Sequence, residues 1–157
     1  MYSIGIRVSP NKVSPKIYYT VILLTDGGRF DIVRSSELNI PTTLDLPEQL
    51  AYLRTNLLAI ILEYNIICAG LRISETIAKT PSIYRMNIEG VIQELFANSS
   101  IEKYSVMKIA QMSKYLEDGD IKSYLDGDLN FAEIKDWDQL RLELRESTVT
   151  SLAATCI

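Results

Sequence analysis

Histidine is absent from this 157-residue chain, and cysteine occurs only twice. The first absence removes the usual zinc ligand, the commonest general base at neutral pH, and every Ser-His or Cys-His nucleophile pair. The second leaves no disulfide framework, because Cys68 and Cys156 share no motif spacing and Cys68, inside an apolar run, reads as a buried thiol. Long hydrophobic stretches are missing too. The run Leu57–Leu62 falls far short of the ~20 residues that a membrane span needs. No charged segment followed by an apolar one opens the chain, so no secretory leader and no membrane are expected, and the reducing cytoplasm is the default compartment. Neither a G-x-x-x-x-G-K-[ST] loop nor a G-x-G-x-x-G turn occurs, which leaves nucleotide binding by those routes without support. The net charge of −4 argues against broad, charge-driven nucleic-acid binding and leaves room only for a local basic patch. An enzyme built from what remains would have to use carboxylates and a hard metal such as Mg²⁺.

What is present is an ordinary globular composition, 47% apolar and 23% charged. That suits one domain over residues 1–157, large enough to bury a core without metal or disulfides. Ser3–Val8 alternates, with Ile4, Ile6 and Val8 on one face and Gly5 and Arg7 on the other, and predicts a half-buried strand. Ile17–Leu24 is rich in β-branched residues and tyrosine. The turn Asp26-Gly27-Gly28 returns the chain through Phe30–Arg34, so three antiparallel strands open the fold. Asp45-x-x-Glu48 is a capping box for a helix to about Tyr64, with apolar residues at 46, 50, 53, 57, 60, 61 and 64. Ile66–Ile73 reads as a buried parallel strand, Ile83–Ala97 as a helix, Tyr104–Met107 as a fifth strand and Ile109–Leu116 as a helix. Glu117–Leu129, acidic and interrupted by glycine, reads as a loop, and Glu133–Ala154 as the terminal helix. The strand after the first helix is expected to cross over right-handed and lie beside strand one.

Three strands, helix, strand, helix, strand, then terminal helices is an order that resembles the ribonuclease H-like superfamily, including Holliday-junction resolvases and short bacterial relatives. Ser3-Ile4-Gly5-Ile6 is similar to the resolvases' opening strand. Ala69-Gly70-Leu71-Arg72 sits where the fourth strand carries a glutamate. Arg85-x-x-x-Glu89-Gly90-Val91-Ile92-Gln93 resembles the following helix, and Arg145-Glu146-Ser147 before Leu152-Ala153-Ala154 the final one. The resemblance implies an α/β fold: a ribonuclease H-like mixed sheet, three antiparallel strands then parallel strands, with flanking helices. It also implies that the catalytic acids are not retained. The family's first aspartate falls on Arg7, the fourth-strand glutamate on Leu71 or Arg72, and only Glu146 matches an acid of the last helix. Two divalent ions ~4 Å apart need several carboxylates, and a guanidinium in their midst repels them.

Two functions follow from this resemblance. The first is a non-catalytic ribonuclease H-like module acting in protein assembly or regulation, within a nucleic-acid-processing system and without cofactor. The second is a divergent Mg²⁺-dependent nuclease with relocated carboxylates, drawn from Glu75, Glu89, Asp138 and Glu146, with Asp26 and Asp31 as further acids. A small-molecule binding domain stays open as a third. Arg7, Arg72 and Arg85 are the candidates for holding phosphate without metal, since guanidinium pairs with it bidentately. The competing reading of Arg7 and Arg72 is ion pairing to Glu75, Glu89 or Glu146. The expected partners are a protein, then nucleic acid, then a second copy of the chain through the edge of strands two and three. The acids Glu117, Asp118, Asp120, Asp126 and Asp128 lack EF-hand spacing and read as a solvated loop. Tyr18 and Tyr19 read as packing residues rather than a base-stacking platform. If the fold is right, Arg7 and Arg72 lie together on adjacent strands and Glu146 comes within reach.

Overall fold

The computed structural model describes residues 1–11, 13–75 and 82–157. Five strands form one sheet: β1 (Tyr2–Ser9), β2 (Lys16–Leu24), β3 (Phe30–Asn39), β4 (Cys68–Arg72) and β5 (Lys103–Met107), in the order β3-β2-β1-β4-β5. The β1–β2 and β2–β3 pairs are antiparallel, whereas β1–β4 and β4–β5 are parallel. The helices are α1 (Leu46–Glu63), α2 (Ile83–Ala97), α3 (Ile109–Leu116), α4 (Ile121–Asp126) and α5 (Leu142–Ala154), with a 3-10 turn at Trp137–Gln139. None of the described helices is long and apolar enough to cross a membrane.

The side-chain period of two sorts β1 between two layers. Ile4, Ile6 and Val8 join Leu53, Leu57 and Ile61 of α1 and Ile88, Ile92 and Leu95 of α2 in one apolar core. The opposite face, carrying Ser3, Gly5 and Arg7, meets α5. A second core there gathers Met107, Met112, Ile121, Leu125, Phe131, Trp137 and Val149. Helix α1 starts where the sequence says it should: Asp45 accepts from the Glu48 N–H and Glu48 from the Asp45 N–H, which satisfies two otherwise orphaned donors. Tyr18 and Tyr19 are buried in β2.

Three expectations need correction. Strand β3 runs on to Asn39, because Ser35, Ser36 and Glu37 keep their register with Thr20, Tyr19 and Tyr18 although their own β propensity is low. The acidic stretch is no plain loop. Ile121 and Leu125, four apart, bury one side of α4, which ends on Gly127 in the left-handed region at φ +83°. The terminal helix begins at Leu142, not Glu133. Ala132, Glu133 and Asp136 all take positive φ, and the intervening turn drives Trp137 into the second core, where its indole N–H donates to the Tyr124 carbonyl at 2.8 Å.

Candidate functional site

Helix α5 lies directly on the backbones of β1 and β4. Gly5 and Gly70 are register partners, and both sit under it. A Cβ on Gly5 would fall 2.0 Å from the Ser147 carbonyl oxygen, and one on Gly70 would fall 2.5 Å from Thr150 Cγ2. The helix answers with small hydroxyl residues. Ser3 Oγ donates to the Ser151 carbonyl at 2.7 Å, Ser151 Oγ donates back to the Ser3 carbonyl at 3.1 Å, and Thr20 Oγ1 bonds Ser147 Oγ at 2.8 Å. This seating fixes Glu146, the residue just before Ser147, over the carboxyl ends of β1 and β4.

There the register sets Arg7 opposite Arg72. Arg7 Nε stands 2.8 Å from Glu146 Oε2, and Arg72 Nε 3.2 Å from Glu146 Oε1. The side chains of Arg72 and Glu146 are only 4% and 5% exposed. Arg72 also meets Glu75 at 2.7 Å, and Glu75 in turn accepts from the Ile109 N–H at the start of α3, also at 2.7 Å. From α2, Arg85 donates to Ser74 Oγ at 2.9 Å and to the Val8 carbonyl at 3.2 Å, while its Nε lies 3.6 Å from Glu89 Oε1. Arg7 reaches the same Ser74 oxygen at 3.5 Å and the Arg72 carbonyl at 3.2 Å. Three arginines and three glutamates thus interlock, with no net charge.

The contacts are unequal. Arg72 Nε, Glu146 Oε2, Arg85 Nε and Glu89 Oε1 are buried yet complete no hydrogen bond among the described residues. At these atoms the ion pairs are close charge contacts, not aligned hydrogen bonds. Desolvation leaves its mark on the titration. Burial, reinforced by the neighbouring Arg7, holds Arg72 and Arg85 below the usual guanidinium range despite the opposing pull of Glu146, Glu75 and Glu89. Burial likewise pushes Glu89 above the ordinary carboxylate value, against the lowering influence of Arg85 and Arg7.

Six of the nine candidate residues named from the sequence therefore meet at one place. Asp138 does not, and sits on the 3-10 turn, where its carbonyl accepts from Arg145 at 3.1 Å. Asp26 and Asp31 belong to the β2–β3 hairpin. Ser74, which joins Arg7 to Arg85, had no signal in the sequence beyond its place after the fourth strand. Among the described residues no group of three or more carboxylate or thiol side chains converges to hold a metal ion, and Glu146 is clasped between two guanidiniums.

No protein-family model and no curated protein matches the sequence. Comparison of folds gives a clear answer. RuvC of Thermus thermophilus superposes with a TM-score of 0.72 at 10% identity, over 99% of this chain and 94% of that one. The fold is that of RuvC. T. thermophilus RuvC in complex with a Holliday junction substrate gives a TM-score of 0.71 at 9% identity with the same coverage. The chain is therefore a ribonuclease H-like mixed sheet with flanking helices, and at that level of identity the likeness speaks for the fold alone.

Proposed function

We propose that residues 1–157 form a non-catalytic ribonuclease H-like module that acts in protein assembly or regulation, in the cytoplasm and within a nucleic-acid-processing system. One observation carries the reading: the Glu146 carboxylate is shared by Arg7 at 2.8 Å and Arg72 at 3.2 Å, in a spot almost closed to solvent. Position 7 is where the resemblance expects the first catalytic acid. A guanidinium there neutralises Glu146, the carboxylate that α5 brings to this spot, and works against a pair of divalent ions. Such a centre stabilises a surface for a partner rather than cutting a strand. Its carboxylate is already committed, and no histidine stands by as a base.

The test is a cleavage assay on a Holliday junction, on single strands and on RNA–DNA hybrids, with Mg²⁺ and with Mn²⁺. The reading expects no product above a no-protein control, for the wild type and for Glu146→Gln alike. Wild-type cleavage that disappears in Glu146→Gln would establish the divergent nuclease instead. Capture of a defined protein partner, unchanged by nuclease treatment, is the positive counterpart.

A further inference from the structure

We propose that Arg85, Arg7 and the Ser74 hydroxyl form a binding site for a phosphate monoester, with Glu89 as the internal anion that the ligand displaces. The cluster has a tight half and a loose half. Glu146 is locked between Arg7 and Arg72 and is 5% exposed, so no ligand reaches it. The Arg85–Glu89 pair is wider, at 3.6 Å, and Arg85 is the most exposed of the three arginines at 24%. Arg85 Nε and Glu89 Oε1 each keep an unused hydrogen-bonding position among the described residues. A buried donor left without a partner carries a free-energy cost that an incoming oxyanion removes.

Geometry supplies the rest of the cradle. Nη1 of Arg85 and Nη2 of Arg7 converge on one oxygen, Ser74 Oγ, at 2.9 and 3.5 Å. Two guanidiniums that meet at one hydroxyl place their donors side by side, an arrangement suited to the several acceptor oxygens of a tetrahedral phosphate. The internal competitor is weak, because burial opposes the ionised form of Glu89. A monoester suits the exchange better than a nucleic-acid backbone. It brings a charge of ~−1.5 to −2 and three terminal oxygens to replace one carboxylate. A long diester chain would meet a protein of net charge −4. This inference does not depend on whether the chain cleaves nucleic acid, and its readout is binding alone.

Inorganic phosphate is the probe, titrated against the full chain by calorimetry and thermal shift, with chloride at matched ionic strength as the reference. Saturable stabilisation by phosphate beyond chloride is expected. Arg85→Gln should weaken binding roughly tenfold or more, as the loss of a charge-assisted contact does. Glu89→Gln, which removes the competing anion, should tighten it severalfold. This second variant keeps the test sharp if Arg85→Gln folds poorly. A short oligonucleotide with a terminal 5′-phosphate should compete with inorganic phosphate, and the same strand without that phosphate should not. No effect beyond chloride, weaker binding in Glu89→Gln, or equal competition by the two oligonucleotides would each overturn the proposal.

Discussion

The two faces of the sheet are held by different physics. On one, α1 and α2 bury Ile, Leu and Val against Ile4, Ile6 and Val8, and stability comes from apolar area removed from water. On the other, α5 rests on Gly5 and Gly70 through serines and threonines, and stability depends on close approach and paired hydroxyls. The first face tolerates variation of shape, because side chains can repack. The second cannot, since backbone meets backbone. The arginine–glutamate cluster sits where the faces meet: Arg7, Arg72 and Glu146 belong to the second and inherit its rigidity, while Arg85 and Glu89 come from α2 on the first.

The same substitution made on the two sides separates them most sharply. Gly5→Ala places a methyl 2.0 Å from the Ser147 carbonyl and 2.4 Å from the Ser151 nitrogen, contacts that no rotamer can relieve. A loss of at least about 3 kcal/mol in denaturant unfolding is expected, at the upper end of overpacking costs. Glu89→Gln probes the seam between the faces through its pH dependence. The folded-state pKa of Glu89 is raised, so its favourable contribution is present below the unfolded value and lost as pH rises through the folded one. The stability of Glu89→Gln relative to wild type should therefore improve from acid toward neutral pH. A difference that stays flat or falls would place the ionised carboxylate in a better environment than described. Gly90→Ala is the smallest effect and has the opposite sign to Gly5→Ala. Nothing lies within 4 Å of its Cβ position in α2, and alanine in a helix is favoured by ~0.5–1 kcal/mol. A measured loss there would blur the contrast between the faces.

The apolar face was legible in the sequence because its signals are periodic. Helix α2 and helix α3 fall at the residues that spacing predicts, Ile83–Ala97 and Ile109–Leu116. The alternation in β1 correctly turns Arg7 away from Ile4, Ile6 and Val8. The resemblance, with Arg7 and Arg72 in matching strands, also foretold their meeting with Glu146. What the sequence hid lies on the polar face. A glycine in a strand and a Ser-Thr run in a helix are each ambiguous alone; only the pairing of Gly5 with Gly70 shows that α5 needs both. Residues 133–141 carried helical signals weaker than the positive φ at Ala132, Glu133 and Asp136, which the burial of Trp137 outweighs. Ser74 became meaningful only once two arginines from different elements reached it.

The central claim is that Glu146 serves Arg7 and Arg72 as an internal partner. A double-mutant cycle on Arg7→Gln and Glu146→Gln, read by equilibrium unfolding, tests it most directly. Glu146→Gln takes the shared carboxylate from the buried Arg72 as well as from Arg7 and should cost about 3–5 kcal/mol, whereas Arg7→Gln leaves Glu146 paired to Arg72 and should cost less. The double variant removes both charges of the 2.8 Å pair and leaves Arg72 with Glu75, so it should cost less than the sum of the two, with a coupling of about 2 kcal/mol. Additive costs would mean that the two side chains do not depend on each other, and would contradict the account.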